Sequence, residues 1–153
     1  IYLVPAFTGL GAPYWDASAR GLLSGLTRDT GPKEIVRATI ESVAYQTYDL
    51  FEAMKNDGLK PKLIKVDGGM VLNNWFSQFL SNTINAKVLR PKVNETTALG
   101  AAFMAGLQIG VYKSLEDISD NWQAGRSFNP KMKSFERKKL IDGWDKAIKK
   151  TLS

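Results

Sequence analysis

Leu63-Ile64-Lys65-Val66-Asp67-Gly68-Gly69-Met70-Val71-Leu72-Asn73-Asn74 is the stretch that decides the fold class. Its first four residues read as a short buried strand, two glycines close it, and Phe76, Phe79, Leu80 and Thr83 then recur on one face of a helix over 73–84. Upstream, Val36, Ile40, Val43, Thr47, Leu50 and Met54 are spaced by four, three, four, three and four residues, which puts them on a single helix face. Pro32 suits the first turn of that helix, Glu34 complements the positive end of its dipole, and Gly58 with Pro61 ends it, so the helix is predicted over 32–56. Downstream, Lys87-Val88-Leu89-Arg90 reads as a second strand that stops at Pro91, followed by a small-residue helix over 97–109. The alternation predicts an α/β layer with a largely parallel sheet.

Two strands among so many helices make an incomplete sheet, whose open edge is a liability for an isolated chain. The flanking segments add no further strand of comparable strength. Residues 1–30, rich in glycine and aromatic side chains, predict turns and short strands. Ser114 to Trp122 reads as a short helix, Ala124 to Pro130 as a loop, and Glu136 to Leu152 as an amphipathic helix with Leu140, Trp144, Ile148 and Leu152 inward. The opening Ile1-Tyr2-Leu3-Val4-Pro5 has neither an initiator methionine nor the features of a signal peptide. It resembles a strand entered halfway and predicts a piece of a longer protein.

A chain of 153 residues is enough for one domain with a core. No apolar run approaches the roughly 18 residues of a membrane span. With neither cysteine nor histidine, the chain excludes disulfides, thiolate sites, histidine bases and Ser-His-Asp triads, leaving carboxylates, lysines and backbone groups for chemistry. A cytoplasmic setting is expected. The net charge of +6 is concentrated between residues 131 and 150, where eight cations face Glu136, Asp142 and Asp145. No aromatic or glycine-rich reader accompanies them, so the segment predicts a solvated helix face and no nucleic-acid partner.

Gly68 and Gly69, at the carboxyl end of a predicted strand, let a ligand approach the backbone without interference from a Cβ, and ligands of open α/β sheets collect at that edge. Asn73 or Asn74 can hydrogen-bond a sugar or a base there. An alternative stays open on spacing alone: the glycines make a tight turn and one asparagine caps the helix. Thr97 is expected to cap the next helix, with glycine and alanine packing closely behind it. Asp16 and Arg20 read as a turn with a surface ion pair, and Asp67 as a carboxylate bracing its own turn. The glycines after Leu10 lack the third glycine of a dinucleotide fingerprint, because Tyr14 stands in its place, and Gly106 to Ser114 lacks the second glycine of a phosphate loop.

The run Val4-Pro-Ala-Phe-Thr-Gly-Leu-Gly-Ala-Pro-Tyr-Trp-Asp16, then Ala19-Arg20-Gly21, resembles the FGGY carbohydrate kinase family in the version that glycerol kinases carry. Gly21-Leu-Leu-Ser-Gly25-Leu26, seven further residues and Glu34-Ile-Val-Arg-Ala-Thr-Ile-Glu41 fit that family's second signature. Val66-Asp-Gly-Gly69 with Asn73-Asn74, and Glu95-Thr-Thr-Ala-Leu-Gly-Ala-Ala102, complete the likeness, which weakens after Gly110.

The resemblance implies the second half of an actin-like, ribonuclease-H-like ATPase lobe. Residues 1–110 are then the lobe core without its first strands, and 111–153 a C-terminal helical extension of the same domain. It further implies that Gly69 and Asn73, with Gly68 shaping the turn, contact ATP or ADP. The parent activity would be transfer of phosphate from ATP to glycerol. No Gly-Asp-Gln occurs here, so the catalytic carboxylate is expected upstream, no catalytic residue is assigned within the chain, and the fragment alone is expected to be inactive. The Mg²⁺ ligands are expected mainly outside the chain, and the implied partners are the N-terminal lobe and, for the full-length protein, further copies of itself. Two alternatives accompany this reading: another sugar kinase of the family, and a non-catalytic nucleotide-binding or interaction module.

Overall fold

The computed structural model describes residues 1–93, 95–121 and 123–152. Its backbone is the helix α1 (Pro32–Asn56), 25 residues long. Glu34 reaches back to accept the Gly31 N–H at 2.8 Å, fixing the first turn as the sequence predicts. Two short strands, β1 (Tyr2–Val4) and β2 (Leu22–Ser24), pair antiparallel with Tyr2 opposite Ser24. They bring Tyr2 onto α1, where its ring lies 5.6 Å from that of Tyr45. Tyr45 in turn stacks on Trp144 at 5.2 Å and meets Phe79 edge-on at 5.7 Å. These four aromatic side chains tie β1, α1, α2 (Asn74–Ile84) and α5 (Ser134–Thr151) into one core.

The second sheet has the order β3-β4-β5, built from β3 (Leu63–Lys65), β4 (Lys87–Pro91) and β5 (Ala124–Phe128). β3 and β4 run parallel, with Ile64 opposite Val88, as the βαβ spacing predicts. β4 and β5 run antiparallel, with Val88 opposite Phe128. The segment expected to be a loop over 124–130 is therefore largely a strand. Its sequence hides it, because among Ala124–Phe128 only Phe128 is buried, while Gly125 is there for a close approach: a Cβ would stand 2.7 Å from the Pro91 carbonyl.

Several other expectations need correction. The stripe Val36, Ile40, Val43, Thr47, Leu50, Met54 is not the most buried face of α1. Val36 is 58% exposed and Met54 40%, whereas Ala38, Glu41, Ser42, Tyr45 and Asp49 are buried. In α5, Trp144 and Ile148 do point inward, but Leu152 lies past the helix end and is exposed, and Ile141 and Ala147 fill the core in its place. α3 (Thr96–Gln108) starts one residue earlier than predicted, with Glu95 at its cap and Thr97 inside it. Of its small residues only Gly106 is buried, where a Cβ would meet Tyr112; a Cβ on Gly100 would meet nothing within 4 Å, and Ala101 and Ala102 are exposed. α4 (Leu115–Asp120) occupies the predicted short helix, whose last predicted residue, Trp122, lies outside the described residues. Among the described residues no helix is long and apolar enough to cross a membrane.

Candidate functional site

The strand β3 delivers the chain to the sheet's carboxyl edge, where the Val66 N–H donates to the Leu89 carbonyl at 2.9 Å as the last rung of the ladder. Asp67 follows, exposed, and then the backbone turns at Gly68 with φ +90° and ψ 173°. Only glycine occupies that region without strain, so the turn requires Gly68 by conformation. Gly69 opens a single 3₁₀ turn over Gly69–Leu72. Its role differs from that of Gly68: a Cβ on it would meet nothing within 4 Å, and its φ is not positive. Gly69 is thus a bare stretch of exposed backbone that the fold itself does not need to be bare.

Asn73 both ends the 3₁₀ turn and caps α2. Its Oδ1 accepts the N–H groups of Trp75 at 2.9 Å and Phe76 at 3.3 Å. The capping alternative read from spacing is therefore present, and among the described residues no hydrogen bond is recorded for the two Nδ2–H donors of Asn73. Asn74 is the first residue of α2 and makes no part of the cap. Behind the turn, the buried Ser77 Oγ donates to the Val71 carbonyl at 2.9 Å. Arg90, from the end of β4, donates through Nη1 to the same carbonyl at 2.8 Å and to that of Leu72 at 3.0 Å. Neither Ser77 nor Arg90 is marked by the sequence, since both sit in runs explained by helix and strand patterns.

Two clefts flank this turn. One, of about 510 Å³, lies between the start of α1 and the start of α2; Pro32, Val36, Ile40, Arg37, Asn73 and Trp75 line it. The Arg37 guanidinium stands 5.6 Å from the Trp75 ring centroid, so that cleft has an apolar wall with a cation at its rim. The other, of about 200 Å³, lies at the carboxyl ends of β3 and β4 and is lined by Lys65, Val66, Asp67, Pro91 and Thr96. Among the described residues, no group of three or more acidic side chains is placed to hold a metal ion.

The remaining sequence candidates resolve into structural roles. Asp16 Oδ1 accepts from Ser18 N at 2.8 Å, Ser18 Oγ at 2.6 Å and Ala19 N at 3.1 Å, and the Ser18 hydroxyl and amide hold its carboxyl below the usual range. Arg20 turns instead to the carbonyls of Ala17, Ser18 and Ala19, at 2.9, 3.2 and 2.8 Å. Asp16 is satisfied by the Ser18 hydroxyl and two loop amides and Arg20 by loop carbonyls, and the result is a braced turn.

The family model for the C-terminal domain of the FGGY family of carbohydrate kinases matches residues 1–109. The chain belongs to the FGGY family of carbohydrate kinases. Glycerol kinase 1 of Pseudomonas aeruginosa is 56% identical over 153 residues, a match to all of this chain and 31% of that protein. A crystal structure of Plasmodium falciparum glycerol kinase with ADP matches 99% of this chain and 31% of its own, with a TM-score of 0.86 and 38% identity. A ligand-bound xylulose kinase from Lactobacillus acidophilus matches 93% of this chain and 28% of its own, with a TM-score of 0.75 and 28% identity. The chain spans about a third of the length of the curated relatives it matches. The match to the FGGY C-terminal domain and to solved glycerol and xylulose kinases identifies the α/β arrangement as that of an actin-like ATPase lobe.

Proposed function

We propose that this chain is the nucleotide-side, C-terminal part of an ATP-dependent glycerol 3-phosphotransferase. The observation that carries the reading is the match of the whole chain to glycerol kinases at 56% identity, together with a Gly-Gly turn whose second glycine is bare without a conformational reason. In this reading the exposed Gly69 backbone and the Asn73 Nδ2–H donors contact ADP or ATP, with Gly68 setting the direction of the turn. The site fits such a ligand chemically: unobstructed backbone at a sheet's carboxyl edge, free amide donors and an adjacent apolar cleft. Phosphoryl transfer needs nucleophile, phosphates and metal positioned together. The proposed catalytic carboxylate, the polyol pocket and most Mg²⁺ ligands lie in the rest of the protein.

Residues 1–110 are proposed as the lobe core and 111–153 as its C-terminal extension. The full-length protein is proposed to be cytoplasmic and to form homo-oligomers. The exposed Ala101-Ala102 surface of α3 and the exposed part of the α1 stripe are proposed to be covered by that rest. A related pentulose kinase is the second reading, supported by the xylulose kinase likeness; in it too the polyol pocket is proposed to lie in the rest of the protein.

The test is a coupled assay on the full-length protein with glycerol and xylulose as competing acceptors. Glycerol-dependent ADP release with formation of glycerol 3-phosphate is expected. Preference for xylulose would move the assignment to the second reading, and nucleotide binding without turnover would favour a non-catalytic module. The 153-residue chain alone is expected to make no glycerol 3-phosphate; steady production by it would overturn the division of labour.

A further inference from the structure

We propose that Arg90 is a positioning residue of the nucleotide site, holding the Gly68-Gly69 turn at the distance from the sheet that the ligand requires. This rests on the nucleotide reading above. A 3₁₀ segment of four residues closes very few internal hydrogen bonds, and its geometry is poorer than that of an α-helix, so Gly69–Leu72 does not define its own position. The two glycines before and within it add conformational freedom. Yet a backbone surface that is to meet a ligand must be held to a fraction of an ångström.

Arg90 supplies that constraint from outside the turn. Its Cα belongs to β4, which pairs with strands on both sides, and its guanidinium lies 5.8 Å from the ring centroid of the buried Phe128 on β5. From this platform a single Nη1 bridges the carbonyls of Val71 and Leu72, at 2.8 and 3.0 Å. These are the last two carbonyls of the turn, next to Asn73. A cationic donor makes the stronger class of hydrogen bond, and the planar guanidinium lies against an aromatic face as a lysine ammonium does not. Ser77 fixes Val71 from the α2 side, but nothing on that side reaches the Leu72 carbonyl among the described hydrogen bonds. Among the described hydrogen bonds, Arg90 therefore ties the sheet to the segment from Gly69 to Asn73, beside the packing of the buried Val71 side chain. It touches no ligand in this role; it acts through the backbone.

The experiment uses the full-length protein with Arg90→Lys and Arg90→Met. Three quantities are read: the ADP dissociation constant by calorimetry, the KM values for ATP and glycerol, and amide hydrogen exchange at residues 69–73. Lysine reaches one carbonyl and loses the ring contact, so a weakening of ADP binding of about threefold is expected, and about tenfold for methionine. The glycerol KM should stay within twofold, and exchange at 69–73 should accelerate in the same order. ADP affinity equal to wild type in Arg90→Lys and Arg90→Met overturns the proposal, and so does a parallel rise of both KM values, which a general loss of structure would produce. Where the methionine variant does not fold, the lysine variant decides alone, with unchanged ADP affinity and unchanged exchange as the overturning result. Failure of wild type to bind ADP would sink the nucleotide reading instead, and the exchange rates would still report whether Arg90 holds the turn.

Discussion

Trp144 Nε1 donates a 2.9 Å hydrogen bond to Asp49 Oδ2, joining α5 to α1 across 95 residues of sequence. The indole is fully buried and the carboxyl 7% exposed. A carboxyl in such surroundings must be satisfied, and the Tyr14 side chain, from the loop before β2, joins Trp144 in favouring its ionised form. Three segments with no local sequence relationship thus meet on one side chain.

Burial raises the Asp49 pKa to about 6, while the hydrogen bonds from Trp144 and Tyr14 pull in the opposite direction and the nearby Asp145 and Glu52 add to the rise. The folded protein therefore holds this proton more tightly than the unfolded chain. The stabilisation is complete below the unfolded pKa near 4 and is lost as pH rises through about 6. Tyr48, also on this side of α1, has its own pKa pushed up to about 12 and stays neutral throughout that window. Comparison of urea unfolding for wild type and Asp49→Asn from pH 4 to pH 7.5 should show wild type losing on the order of 2 kcal/mol relative to the variant as pH rises. A pH-independent difference would contradict the assignment.

Gly68 and Gly69 should separate in their response to alanine. At Gly68 the backbone is in a region that L side chains avoid, and Gly68→Ala is expected to cost about 1–3 kcal/mol of stability. At Gly69 there is space for a Cβ, so Gly69→Ala should leave the melting temperature within a few degrees while weakening ADP binding. Equal thermal losses in the two variants would show that both glycines serve only the turn.

Asn73 carries a cap and a proposed ligand contact, and the two can be split. Asn73→Ala removes both and should cost about 1 kcal/mol through the cap alone. Asn73→Ser keeps a capping oxygen and deletes the Nδ2–H donors, so its stability should remain near wild type while its ADP affinity falls. Retained affinity in the serine variant would assign Asn73 to capping only.

Glu41 is buried, and its ion-pair partner Arg37 is not: their side chains are 7% and 66% exposed, with Arg37 Nε at 2.7 Å from Glu41 Oε1. The Tyr45 hydroxyl donates to the other oxygen at 3.2 Å. Arg37→Met leaves the carboxylate with the tyrosine alone and is expected to destabilise by about 1–3 kcal/mol. Adding Glu41→Gln should recover at least half of that in a double-mutant cycle; additive losses would indicate that the pair contributes little.

Much of the chain's local structure could be read directly from spacing and turn residues. α1, α2, β3 and β4 follow from apolar periodicity and from Pro32, Gly58, Pro61 and Pro91, because these features act over one or two turns of backbone. The Gly-Gly turn and the choice between capping and ligand contact at Asn73 were also visible, since both depend on residues within five positions of one another. The strand β5 was not. It exists because β4 offers an edge, and its own residues show only one buried apolar position.

The inward face of α1 was legible only in part. The apolar stripe from Val36 to Met54 is real, but the face that packs carries Glu41, Ser42 and Asp49 beside Tyr45, and no hydrophobic count selects those three. Polar groups become core residues when a distant partner satisfies them, as Trp144 does for Asp49, and that partner is defined by the folded chain alone. The sequence by itself determined the α/β class, the family likeness and the place of the Gly-Gly turn. The tertiary structure decided which helix face is buried, that α5 closes over Asp49, and that Arg90 reaches back to hold the turn. The division has a physical cause: propensity and capping act through adjacent residues, whereas burial and side-chain hydrogen bonding act between residues that only folding brings together.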